Sequence, residues 1–126
     1  MKTNTIIIAV VAVAVIFGGL IFFTQDRGPG PYDEFAQCIK DSGTTFFGAF
    51  WCPHCQAQKK DFGSSAKLLP YVECSNPDGQ TQTIECKDAG VQSYPTWEFP
   101  DKSRVTGEQT FQTLSEKTGC PLPATI

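Results

Sequence analysis

The sequence predicts an α/β domain over residues 32–126, carried behind a single N-terminal transmembrane helix. Three observations predict it. From Tyr32 onward, short β-rich runs alternate with runs of helical apolar spacing. The eighteen residues from Ile6 to Phe23 include no charge and no polar side chain. Six cysteines accompany a thin core, since only 34 of the 103 residues from Thr24 onward are apolar, and small domains with so little to bury often need staples. The net charge of −3 comes from scattered residues, 10 Lys+Arg against 13 Asp+Glu. That pattern excludes the clustered cationic face of a nucleic-acid binder.

The N-terminal run reads IIIAVVAVAVIFGGLIFF. As a helix it would extend ~27 Å at ~1.5 Å per residue, close to the hydrocarbon thickness of a bilayer. A cleavable signal peptide is the competing reading. Its apolar core spans ~7–15 residues and ends in a small-x-small site, whereas this run is longer and ends in Leu20-Ile21-Phe22-Phe23. We therefore expect an uncleaved anchor over residues 6–23, preceded by a short cytoplasmic segment, 1–5. Lys2 and the α-amino group precede the run, and Asp26, Arg27, Asp33 and Glu34 follow it. The positive-inside rule then leaves the N-terminus in the cytoplasm and the domain on the extracytoplasmic, periplasmic side of the cell membrane. Six cysteines suit that oxidising compartment.

Residues 24–31 (TQDRGPGP) are polar and rich in Gly and Pro, and read as a linker. Tyr32, Phe35, Ala36 and Ile39 keep helical spacing, and Ser42-Gly43 ends that helix. Thr44 to Trp51 (TTFFGAFW) is a β-rich run consistent with a buried strand. Cys52-Pro53 opens a helix reaching about Leu69, with proline in the first turn where a missing N–H costs nothing; Gly63-Ser64-Ser65 marks a kink or break. A second strand covers Tyr71 to Cys74, followed by Asn76-Pro77-Asp78-Gly79, which is strong turn chemistry. A short helix over Thr83 to Ala89 stops at Gly90. Thr96–Phe99 and Lys102–Thr106 form a hairpin across Pro100-Asp101. A last helix, Phe111 to Thr118, ends at Gly119-Cys120-Pro121.

The most informative segment is Trp51-Cys52-Pro53-His54-Cys55, where a strand gives way to a helix. Two cysteines three apart on a first helical turn can close a small disulfide or open to a dithiol, and the thiolate is the reactive species. At a helix N-terminus the unpaired N–H groups and the macrodipole favour an anion. His54 adds a hydrogen bond or, when protonated, a positive charge. Settings of this kind draw a cysteine pKa from ~8.5 toward ~3.5–7. A stabilised thiolate favours the dithiol, which makes the disulfide form a stronger oxidant. Zinc is the rival chemistry, but a closed site needs a second well-spaced pair, and eleven residues separate Cys74 from Cys86. We expect no metal. An inert surface disulfide is the remaining alternative. His54 is the only histidine, which leaves no second His for hydrolase-type catalysis.

The run Phe47-Gly48-Ala49-Phe50-Trp51-Cys52-Pro53-His54-Cys55, with Tyr94-Pro95-Thr96-Trp97 forty residues later, resembles the thioredoxin superfamily. It is most similar to the thioredoxin-like domain fused to, or encoded beside, bacterial and plant vitamin K epoxide reductase homologues. The similarity covers about Phe35 to Gly119. It implies a thioredoxin-like fold, a central mixed β-sheet flanked by helices, with the redox pair at the start of the second helix. It further implies that Cys52 attacks, that Cys55 is buried and resolves, and that Pro95 is cis beside the pair. Tyr94 and Pro95 would line the substrate groove, with Trp51 bordering the site. In the resembled domain a pair spaced like Cys74 and Cys86 forms a structural bridge, and a second redox relay is the alternative role for that pair. Cys38 and Cys120 could staple the two ends of the domain, although six cysteines allow fifteen connectivities.

One departure matters. Typical thioredoxins carry a buried aspartate six residues before the first active-site cysteine, and that position here is Phe46. The proton relay of a reductant is therefore not visible, and Pro53-His54 matches the bacterial periplasmic disulfide oxidase. The resemblance implies a membrane-anchored enzyme that donates disulfides to exported proteins with free thiols, holds no cofactor itself, and is reoxidised by a membrane quinone-linked thiol oxidase like vitamin K epoxide reductase. A reductase or isomerase of the same fold, and a thiol-based metal-binding module, are the alternatives.

Overall fold

The computed structural model describes residues 6–12, 14–15 and 28–124. Residues 6–12 and 14–15 are helical, and among the described residues no helix is long and apolar enough to cross a membrane. The rest of the expected 6–23 span, the 1–5 segment and linker residues 24–27 lie outside the described residues.

The domain then runs α1 (Asp33–Asp41), β1 (Thr45–Gly48), α2 (Pro53–Asp61), a 3₁₀ helix (Gly63–Leu68), β2 (Tyr71–Glu73), α3 (Ile84–Asp88), β3 (Thr96–Glu98), β4 (Arg104–Thr106) and α4 (Phe111–Thr118). The four strands form one mixed sheet in the order β2-β1-β3-β4. β1 lies parallel to β2 and antiparallel to β3, and β3 lies antiparallel to β4. This architecture fits a thioredoxin-like fold.

Because strand side chains alternate, β1 feeds two cores. Phe46 joins Phe35, Ala36, Ile39, Phe62, Trp97, Phe99 and Leu114, and Phe47 joins Cys74, Cys86 and Val91. Phe46 is paired with Trp97 in the β1–β3 register, and their rings stack at 4.3 Å. Both side chains are fully buried, so this cross-strand pair anchors the centre of the sheet.

Two disulfides bind the periphery to these cores. Cys38 on α1 is joined to Cys120 beyond α4, with Cα atoms 5.9 Å apart and a separation of 82 in sequence. Cys74, just after β2, is joined to Cys86 on α3, with Cα atoms 5.4 Å apart and a separation of 12.

Two elements differ from their sequence-based expectation. The strand expected over Thr44–Trp51 stops at Gly48. Phe50 and Trp51 are apolar but leave the sheet, 48% and 51% exposed, because the chain turns so that the Cys52 amide donates to the Ala49 carbonyl at 3.0 Å. The helix expected to reach Leu69 ends at Asp61. Phe62 turns into the core, Gly63 adopts φ +55°, and the chain continues as a 3₁₀ helix.

Candidate active site

The turn after β1 delivers Cys52 to the N-cap position of α2 in an extended conformation, with Pro53 as the first helical residue. Proline is favourable there, since its missing N–H is one of the four that a helix start leaves unpaired. Pro53 and His54 face solvent. Cys52 and Cys55 turn inward as a free pair and pack with Ala49 and Tyr94. Cys52 keeps 4% of its surface exposed and Cys55 keeps none. An attacking reagent can therefore reach Cys52 first.

The pair is closed from the side by the chain ahead of β3. The Tyr94–Pro95 peptide bond is cis, and the Cys52 thiol donates to the Tyr94 carbonyl at 3.7 Å. Pro95 is fully buried, so the exposed wall beside the pair is aromatic instead. Trp51 and Tyr94 meet edge to face at 5.9 Å. The Trp51 indole N–H donates to Ser75 Oγ at 2.9 Å, and Gln82 Nε2 donates to the Tyr94 hydroxyl at 2.8 Å. Cys38, Cys120, Cys74 and Cys86 are engaged in the two disulfides and are not free thiols.

Burial, and after it the neighbouring Cys52 thiol, push the Cys55 thiol up to about 12. Cys55 is therefore a thiol at neutral pH and needs a proton acceptor before it can attack.

Several neighbours of the pair carried no signal in the sequence. His54 Nδ1 lies 2.6 Å from Glu108 Oε1, which approaches from the loop after β4. Gln58 is fully buried on α2: its Nε2 donates to the Gln109 carbonyl, and its Oε1 accepts from the Gln109 amide and the Trp97 indole. These contacts pin α2 to the segment before α4. Lys59 lies one helical turn after Cys55, its Nζ 3.3 Å above the Tyr71 ring. Only Lys59 could have been suspected beforehand, from its i+4 spacing to Cys55. Among the described residues no group of three or more His, Cys, Asp or Glu side chains is arranged to hold a metal ion.

Gly48 sits where these parts converge. A Cβ built on it would lie 2.7 Å from Tyr71 Cε2 and 3.0 Å from Cys55 Sγ. Gly48→Ala is expected to lower stability by about 1–3 kcal/mol, the usual cost of overpacking, as measured by urea denaturation of the oxidised chain. An unchanged midpoint would mean that Tyr71 moves aside freely.

No family model matches the chain. Over 92 residues it is 41% identical to thiol-disulfide oxidoreductase LTO1 of Arabidopsis thaliana, an alignment covering 69% of this chain and 24% of that protein. The chain thus spans about a quarter of the length of the curated relative it matches. This similarity supports a thioredoxin-like superfamily for the chain, in agreement with the mixed sheet and its helices.

Proposed function

We propose that this chain is a thiol–disulfide oxidoreductase, anchored in the membrane by residues 6–23, that donates disulfides to exported proteins. The observation that carries the reading is the free Cys52–Cys55 pair at the start of α2, with one sulfur reachable and the other enclosed. The similarity to a protein named as a thiol-disulfide oxidoreductase supports the same class of activity.

In the oxidised state a substrate thiolate attacks Cys52 Sγ. The Cys52–Cys55 bond breaks, its electron pair passes to Cys55, and Cys55 takes up a proton. A second substrate thiolate then attacks the substrate sulfur of the mixed disulfide, and Cys52 leaves as a thiolate. The substrate loses two electrons and gains a disulfide, and the pair becomes a dithiol. Reoxidation transfers two electrons to a membrane partner, for which a quinone-linked thiol oxidase like vitamin K epoxide reductase has the required chemistry. Tethering both proteins in one bilayer would raise their effective concentration. The Trp51–Tyr94 wall offers an apolar surface for an unfolded substrate segment.

Direction is tested by the reduction potential of the pair. The chain is equilibrated in glutathione buffers and its thiol state read by alkylation. The expected potential lies at about −120 to −180 mV, the range of strong oxidants and isomerases. A potential near about −270 mV would make the protein a reductase instead. Anchoring is tested by alkaline carbonate washing of membranes, from which the chain is expected not to be released.

A further inference from the structure

Cys55 has no exposed surface, yet the chemistry above requires it to gain a proton when it leaves and to lose one when it attacks. That proton needs a route that does not begin in bulk water. β1 offers none, because its residues Thr45, Phe46, Phe47 and Gly48 carry no titratable group. The neighbouring parallel strand does. In the β1–β2 register Gly48 faces Glu73 and Phe46 faces Tyr71. Gly48 has no side chain, and the position its Cβ would occupy lies 3.0 Å from Cys55 Sγ and 3.3 Å from the Tyr71 hydroxyl. The sulfur and the phenol oxygen thus both lie close to the same spot.

Behind the phenol the polar contacts continue. The Tyr71 hydroxyl donates to Glu73 Oε2 at 2.8 Å. Glu73 Oε1 is held by the amides of Phe50 and Ser75 at 3.1 and 2.9 Å, which aims Oε2 at the tyrosine. From α2, Lys59 sets its ammonium over the Tyr71 ring.

We propose that Glu73, acting through the Tyr71 hydroxyl and beside the Lys59 ammonium, is the proton acceptor and donor of Cys55. The proposal rests on the thiol–disulfide reading of the pair. When Cys55 attacks a mixed disulfide at Cys52, a new Cys52–Cys55 bond forms and the outgoing sulfur leaves as a thiolate. The Cys55 proton passes toward Glu73. In the opposite direction Cys55 leaves as a thiolate and the proton returns. The titratable groups coupled along this route are Cys52, Cys55 and Lys59 from α2 and Tyr71 and Glu73 from β2. Burial and Glu73 hold Tyr71 well above the usual phenol range, so it hands protons on without resting as a phenolate. Burial draws Lys59 downward, and the Glu73 carboxylate opposes that shift.

Single-turnover kinetics with Ellman's reagent test this. The full chain, in detergent and with Cys38–Cys120 and Cys74–Cys86 intact, is reduced at Cys52–Cys55 with a limiting dithiol. The first equivalent of thionitrobenzoate leaves when Cys52 attacks the reagent, and the second when Cys55 resolves the mixed disulfide. Glu73→Gln and Lys59→Met are expected to lower the ratio of second-phase to first-phase rate about tenfold at pH 7. The ratio should recover as pH rises and hydroxide deprotonates Cys55 directly. Tyr71→Phe removes one oxygen and little packing, and it should show the same loss even if a charge variant folds poorly. Wild-type ratios in all three variants from pH 6 to 10 would overturn the proposal. A slowing that persists unchanged at high pH would overturn it as well, by showing a packing defect. Absence of a second equivalent from the wild type would instead refute the thiol–disulfide reading.

Discussion

Cys52→Ser is expected to remove disulfide transfer to a dithiol peptide, by at least about a thousandfold in turnover, as for the loss of any covalent nucleophile. Cys55→Ser is expected to lose turnover equally and, offered the disulfide form of the peptide, to accumulate a mixed disulfide at Cys52 as the other peptide sulfur leaves as a thiolate. The asymmetry follows from position. Cys52 sits at the helix N-cap, retains the only exposed surface of the pair, and borders the Trp51–Tyr94 wall. Cys55 lies one turn deeper, fully enclosed, with burial holding it as a thiol. A substrate sulfur can therefore form a bond to Cys52, and of the protein's own thiols only Cys55 is free to break it. Non-reducing electrophoresis followed by peptide mapping reads the outcome. Substrate trapped on Cys55 in the Cys52→Ser chain would reverse the assignment of roles.

Much of this arrangement was legible in the sequence because it depends on local chemistry. Helix ends were readable where a cap and a glycine bracket them. Thr110 Oγ1 accepts from the Thr113 amide, and Gly119 closes α4 at φ +74°. The start of α2 was readable because proline and the cysteine spacing demand a first turn there. What periodicity could not separate was an apolar residue that is buried from one kept at a site rim. Phe50 and Trp51 continue the β-rich pattern of Phe46 and Phe47, and only the contacts that turn the chain set them apart. Gly63 shows a related limit, since a glycine after Phe62 is compatible with either a continuous helix or a break until the core claims the phenylalanine.

The polar surroundings of the pair were illegible for another reason. Glu108 meets His54 across 54 residues and Glu73 reaches the Phe50 amide across 23. Neither pairing has a sequence signature, because each depends on strand order. Phe46 was read as a missing carboxylate, and the structure supplies the packing reason for its presence. A carboxylate there would lie against the Trp97 ring in a fully buried cross-strand pair, where an unpaired charge costs several kcal/mol. A carboxylate stands on β2 instead, at Glu73. There it accepts two amides and a phenol, and its desolvation is offset by hydrogen bonds.

Replacing Cys38 and Cys120 together by alanine is expected to lower stability at 25 °C by about 4.5 kcal/mol, from the loop-closure entropy of a bridge of this span. The corresponding Cys74/Cys86 double replacement is expected to cost about 3 kcal/mol, because its loop is far shorter. The first bridge spans 82 residues and ties α1 to the chain beyond α4, whereas the second spans 12 and ties α3 to the end of β2. Cys120 also lies within the main core and Cys74 and Cys86 within the smaller one, so removing either bridge adds a packing loss of the same sign. A domain of this size has about 5–15 kcal/mol to lose. The Cys38/Cys120 variant should therefore unfold at lower urea than the Cys74/Cys86 variant. Urea unfolding of both full-chain variants, with Cys52–Cys55 oxidised, measures the two costs. If the short-loop bridge proves the more costly, the stabilisation resides in the native packing of the Phe47–Val91 cluster rather than in the unfolded chain, and the entropic account of both bridges fails.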